Sequence, residues 1–141
     1  MICIFLALLG CSGTKSQSLL QAGDATLEVH VSIEQEFFAW MDPVMSKKVL
    51  IKNSSTKEQL ELAFESIEVN LLFYVNHHGN SIAIVDPYLG LNQYSIDSFK
   101  LLSSSGSKDC FDSELGGCGG FSEQGIRSMG SPDLVFTANG F

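Results

Sequence analysis

The chain has 141 residues, and 8 Lys and Arg against 16 Asp and Glu leave a formal charge of −8 and an isoelectric point near 4.6. A chain of this length can bury one core of its own, and 45% hydrophobic against 17% charged residues places it among folded chains, not disordered ones. Without a basic run or stripe to neutralise phosphates, nucleic acid is excluded as a partner, and so is electrostatic docking on anionic lipid.

The chain opens on an apolar run, Ile2 to Leu9, followed by Gly10-Cys11 and the polar stretch Ser12 to Ser18. A bilayer span takes about 20 apolar residues, so this run is too short to cross and has the length of a secretory h-region. Leu8-Leu9-Gly10-Cys11 resembles the lipobox of bacterial lipoprotein signals. The resemblance implies a signal peptide over 1–10 and a Cys11 that carries diacylglycerol and an acylated new N-terminus; the polar composition after it reads as a tether over 11–24, ahead of a β-rich globular domain over 25–141. Ser12 after the cysteine implies sorting to the outer membrane, facing the periplasm. One acyl chain binds a membrane marginally, whereas a diacyl group with an amide-linked chain anchors firmly.

Thr26 to Glu34 alternates apolar and polar residues, with Leu27, Val29, Val31 and Ile33 on one face, the period of a half-buried strand. His30 falls on the other face and is expected in solvent. Asp42-Pro43 marks a turn. Lys47 to Ile51 reads as a strand that ends in the polar turn Lys52-Asn53-Ser54-Ser55. Lys57 to Phe64 fits either period: Leu60, Ala63 and Phe64 line a helical turn, and Leu60, Leu62 and Phe64 line a strand. Glu68 to Val75 is rich in aromatic and aliphatic residues and is expected as a central strand. A short loop containing Asn76, Gly79 and Asn80 joins it to Ser81–Val85, which predicts a hairpin before the turn at Asp86-Pro87. Leu89 to Tyr94 reads as a loop, Ser98 to Leu102 as a short strand, 103–130 as a Ser/Gly-rich region and Asp133 to Ala138 as a last strand.

Short strands separated by turns, without long helical periodicity, predict a mainly β fold, a small antiparallel β-sandwich with a Gly/Ser-rich C-terminal region. The order of Met41-Asp42-Pro43-Val44, a strand ending Lys52-Asn53-Ser54-Ser55, and Asn70 to Val75 before a Gly-bearing turn is similar to immunoglobulin-like domains of bacterial envelope lipoproteins. That resemblance covers about residues 26–85 and implies a fold without passing on a function.

If Cys3 leaves with the signal and Cys11 is lipidated, Cys110 and Cys118 remain. In an oxidising periplasm they are expected to close a disulfide, with free thiols as the alternative. Their spacing is not that of a CxxC zinc or redox motif. A loop this small gains about 2–3 kcal/mol from closure in the chain-entropy model.

His77 and His78 invite a metal reading, since neutral imidazoles suit transition metals. Neighbours on an extended chain point to opposite sides, so a solvated turn is expected instead. Asp109, Asp112 and Glu114 supply hard oxygen atoms, but their spacing departs from a calcium-binding EF-hand loop. Glu34 and Glu36 share a strand face without evidence of a cleft, and no Gly-x-Ser-x-Gly motif occurs. The expectation is therefore a lipid-anchored envelope protein that binds without catalysis and needs no cofactor. The −8 charge suggests an immunity-type inhibitor that caps a cationic protein effector. The alternatives are a structural or accessory envelope lipoprotein, and a metal-dependent enzyme built on His77 and His78.

Overall fold

The protein is described by a computed structural model over residues 13–36, 43–76, 80–104 and 132–140. All regular structure among these residues is β-strand. A four-stranded sheet runs in the order β1 (Gly13–Ala22), β2 (Ala25–Glu36), β3 (Val44–Asn53), β4 (Gln59–Ser66). The second sheet contains β5 (Asn70–Asn76), β6 (Ser81–Asp86), β7 (Gly90–Ser95), β8 (Leu101–Ser104) and β9 (Asp133–Asn139), in the spatial order β8-β7-β6-β5-β9. Every pairing is antiparallel. Each sheet is a run of neighbouring hairpins, and β9 returns to lie beside β5, the placement of the last strand in a Greek key. The small antiparallel sandwich expected from the strand pattern is the architecture observed.

The alternation read in β2 holds, with Leu27, Val29, Val31 and Ile33 buried. They meet Val49 and Ile51 from β3, Leu71, Phe73 and Val75 from β5, and Ile82 and Ile84 from β6 in one core between the sheets. The ambiguous segment before Phe64 is strand, and Leu60, Leu62 and Phe64 share its inward face. Tertiary pairing with β3 decides this, since a strand beside β3 satisfies backbone groups that a single helical turn would leave open. β6 is buried at every position, and its outward-facing Ala83 and Val85 join Leu91 in a second cluster. Its unbroken apolar run Ile82–Val85 is the composition of a strand covered on both faces.

Three expectations are corrected. Residues 11–24 were expected as a tether, yet Gly13–Ala22 is β1, paired along its whole length with β2. Its polar composition hid a period-two pattern in which Thr14, Ser16, Ser18, Leu20 and Ala22 face inward at the sheet's edge. Gly23 and Asp24 then form a two-residue hairpin turn, where Gly23 at φ 63° supplies the positive first central residue of a type II′ turn. Leu89 to Tyr94, expected as loop, contains most of β7, because β6 and β8 give its amides and carbonyls partners on both sides. The short strand expected at Ser98–Leu102 begins at Leu101. Its preceding residues form a turn in which Ser95 N–H donates to Lys100 O, Phe99 N–H donates to Ser95 O, and Phe99 sits at φ 52°.

The inward face of β3 carries Met45, Lys47, Val49, Ile51 and Asn53, so a polar residue lies near each end of an apolar run. Asn53 is buried, and its Nδ2 donates to Ile96 O at 2.9 Å across the sandwich. Its Oδ1 accepts from Ser55 N–H at 2.9 Å and Thr56 N–H at 3.3 Å, shaping the β3–β4 turn. The Asn53 side-chain amide is thus consumed inside the fold. Along the β1 and β9 side, Thr14 Oγ1 donates to Asn139 O, and Gly140 N–H donates to Val69 O at 2.7 Å.

Two substitutions probe these contacts. Asn53→Ala leaves Ile96 O and two turn amides unmatched and is expected to lower unfolding free energy by about 1–3 kcal/mol in denaturant titration. A Cβ at Gly140 would stand 2.7 Å from Val69 O, a backbone atom that cannot swing aside. Gly140→Ala should therefore destabilise by about 1–3 kcal/mol, whereas an Ala at Gly13, whose closest neighbour is the flexible Glu34 side chain, should cost less.

Candidate functional site

Cys11, Cys110, Cys118, His77 and His78 lie outside the described residues, as do Asp109, Asp112 and Glu114. His30 faces outward as expected, is partly exposed, and its Nε2 meets Glu28 Oε1 two residues earlier on the same strand. Glu34 and Glu36 also lie on the β2 outer face. Among the described residues no group of three or more His, Cys, Asp or Glu side chains is placed to hold a metal ion. No helix among them is long and apolar enough to cross a membrane.

Among the described residues, a concave feature lies on the outer face of the β1–β4 sheet. Strand register places Lys15, Ser32, Lys48 and Ala63 in one row across the sheet, and Gln17, His30, Leu50 and Glu61 in the next. The small side chains of Ser32 and Ala63 make the floor, and the longer residues beside them make walls. The result is an open concavity of about 660 Å³. Lys15 on β1 and Lys48 on β3 stand in one row and Glu61 on β4 in the next, so the hollow carries two ammonium groups and has its carboxylate at the β4 edge.

That polarity continues along the chain. From Glu58 to Phe99 the sequence contains no Lys or Arg, but has Glu58, Glu61, Glu65, Glu68, Asp86 and Asp97. Glu58, Glu61 and Glu65 are exposed and cluster on and just before β4. β4 is the outermost strand of its sheet among the described residues, so its carboxylates form the acidic margin of the concave face.

A second polar feature is internal. Lys47 and Asp86 are fully buried, and Lys47 Nζ donates to Asp86 Oδ2 at 2.7 Å, joining β3 of one sheet to β6 of the other. Lys47 Nζ also donates to Asn70 O at 2.9 Å. Asp86 Oδ2 accepts from Ser66 Oγ at 2.7 Å, while Oδ1 accepts from Tyr88 N–H at 2.9 Å and Leu89 N–H at 3.1 Å. Desolvation pulls the Lys47 ammonium below its ordinary pKa of 10.5, and the opposing attraction of Asp86 and then Glu68 does not fully offset it. The sequence contained one signal of this cluster: Lys47 occupies the inward parity of β3 with Val49 and Ile51, and a lysine there demands an acid inside. From the sequence, Asp86 reads only as a turn residue before Pro87.

No family model, no curated protein and no solved structure matches this chain.

The internal cluster sets a stability expectation. Asp86→Ala would strand a buried amine and leave Ser66 and two amides without their acceptor. A loss of about 3–5 kcal/mol is expected in chemical denaturation, against less than about 0.5 kcal/mol for Glu65→Ala on the exposed face of β4.

Proposed function

We propose that this protein is a lipid-anchored component of the bacterial cell envelope that binds a cationic protein without transforming it, in the manner of an immunity-type inhibitor. The observation that carries the binding half is the acidic margin of β4 beside an open concave sheet face. Glu58, Glu61 and Glu65 give a basic partner a site of encounter, and opposite charge chiefly accelerates association and selects the partner. The concavity adds shape, and Leu50 supplies apolar surface in its floor region.

The anchoring half rests on Leu8-Leu9-Gly10-Cys11. Sorting to the outer membrane, with the domain facing the periplasm, follows from the same signal and from Ser12. One residue separates Cys11 from the start of β1. Two residues reach at most about 7 Å, so an acylated Cys11 would hold the β1 end of the sandwich against the headgroups instead of trailing it on a leash. Cys110 and Cys118 would be joined in that oxidising compartment. The immunoglobulin-like reading is retained at the level of architecture, two packed antiparallel sheets. Immunoglobulin domains divide their consecutive strands between the sheets, whereas here β1–β4 stay in one and β5–β9 in the other.

Two measurements test the proposal. Cells expressing the chain should incorporate labelled palmitate into it, and Cys11→Ser should abolish both labelling and membrane fractionation; unchanged labelling would remove the anchor. The purified protein, used as bait in an envelope extract, should retain a basic protein that elutes as salt is raised. A Glu61→Lys/Glu65→Lys variant should keep the fold and lose that protein. Equal retention by both baits would refute the acidic margin as the binding surface.

A further inference from the structure

We propose that Lys47 and Asp86 condense into an intramolecular amide, an isopeptide bond that joins β3 of one sheet to the end of β6 in the other. The amine and the carboxyl lie 2.7 Å apart, and neither side chain has any solvent exposure. Each is held by contacts independent of the other. Asn70 O fixes one Nζ–H at 2.9 Å, and Glu68 Oε1 accepts from Val69 N–H and Asn70 N–H, which steadies the backbone leading into that carbonyl. On the carboxyl, the N–H groups of Tyr88 and Leu89 both point at Oδ1. Two backbone donors on one oxygen are what an adduct's developing oxyanion requires. Ser66 Oγ lies on Oδ2, the oxygen that must leave.

The chemistry balances within these groups. One proton passes from Nζ to Oδ2, turning the ion pair into a neutral amine and a neutral acid, the form that a low-dielectric interior favours. The burial that depresses the Lys47 pKa acts in the same direction. The nitrogen lone pair then attacks Cγ, the N–C bond forms, and the C=O electron pair moves onto Oδ1. As the adduct collapses, the Cγ–Oδ2 bond breaks and Oδ2 leaves as water, taking a second proton from the nitrogen. No oxidant, metal or cofactor takes part. Condensation opposes bulk water, but groups fixed in reacting contact behave as if at about 10⁵–10⁸ M, and the water released departs from a dry core. The product closes a loop between strands of different sheets, constraining the unfolded chain as a disulfide does.

Tryptic mapping of the purified, reduced full chain decides the matter. Trypsin cuts after Lys15, Lys48, Lys57 and Lys100, but not after an acylated Lys47. The expected product is one branched peptide joining residues 16–48 to 58–100, lighter than its two parts by one water. Cleavage after Lys47 and recovery of the two peptides separately, at full mass, from folded protein would overturn the proposal. Lys47→Arg keeps a positive charge but lacks the amine, so its map should contain no branch. A branch that persists there would place the cross-link elsewhere and overturn the assignment too. Failure would leave the binding proposal standing, because neither residue reaches the surface.

Discussion

β3 carries two polar anchors on its core face, Lys47 on Asp86 and Asn53 on Ile96 O, and they decide how the two sheets lie on each other. An apolar interface specifies alignment through shape alone, since Val, Ile and Leu contacts are non-directional. Two buried polar contacts six residues apart on one strand, about 20 Å at strand rise, add direction to that alignment. Any shift separates a buried charge or amide from its partner, and an unmatched polar group in the core costs more than a displaced methyl. Register within each sheet follows from backbone pairing; register between the sheets follows from these anchors, with Gly140 and Val69 closing the β1 and β9 side.

The anchors also divide the molecule's work. Lys47 and Asp86 neutralise each other inside, while the other carboxylates of the segment from Glu58 to Phe99 are exposed or, at Glu68, half-buried. β4 can be acidic along its outward face because its inward face, Leu60, Leu62 and Phe64, supplies the apolar contact that holds it to the sandwich. The hollow beside it follows from residue size. Ser32 and Ala63 fall in a row with two lysines, and the sheet surface dips where side chains are short.

β1 has a consequence for the proposed anchoring. A strand that opens Gly-Thr-Lys-Ser-Gln-Ser looks like linker composition, yet ten residues paired to β2 are not free to extend. The outer face of that sheet, and with it the concavity, would therefore be held at a set distance from a lipid on Cys11.

The strands with a strong apolar period were legible without tertiary information. Leu27, Val29, Val31 and Ile33 could face only one way, and Asn70–Asp86 announced a hairpin through two apolar runs and an Asn- and Gly-bearing loop. The antiparallel sandwich follows from those strands and their spacing. What eluded the sequence were β1 and β7, whose polar residues carry little hydrophobic contrast and which are strands because their neighbours' amides and carbonyls need partners. The Lys57–Phe64 ambiguity was settled for the same reason. The candidate surface was less legible still: Lys15, Ser32, Lys48 and Ala63 come from four strands, and only pairing register sets them in one row. The net acidity and the order of apolar residues belong to the sequence alone. The meeting of Lys47 with Asp86, 39 positions apart, belongs to the tertiary structure, because the packing of one sheet on the other determines which buried charge finds its opposite.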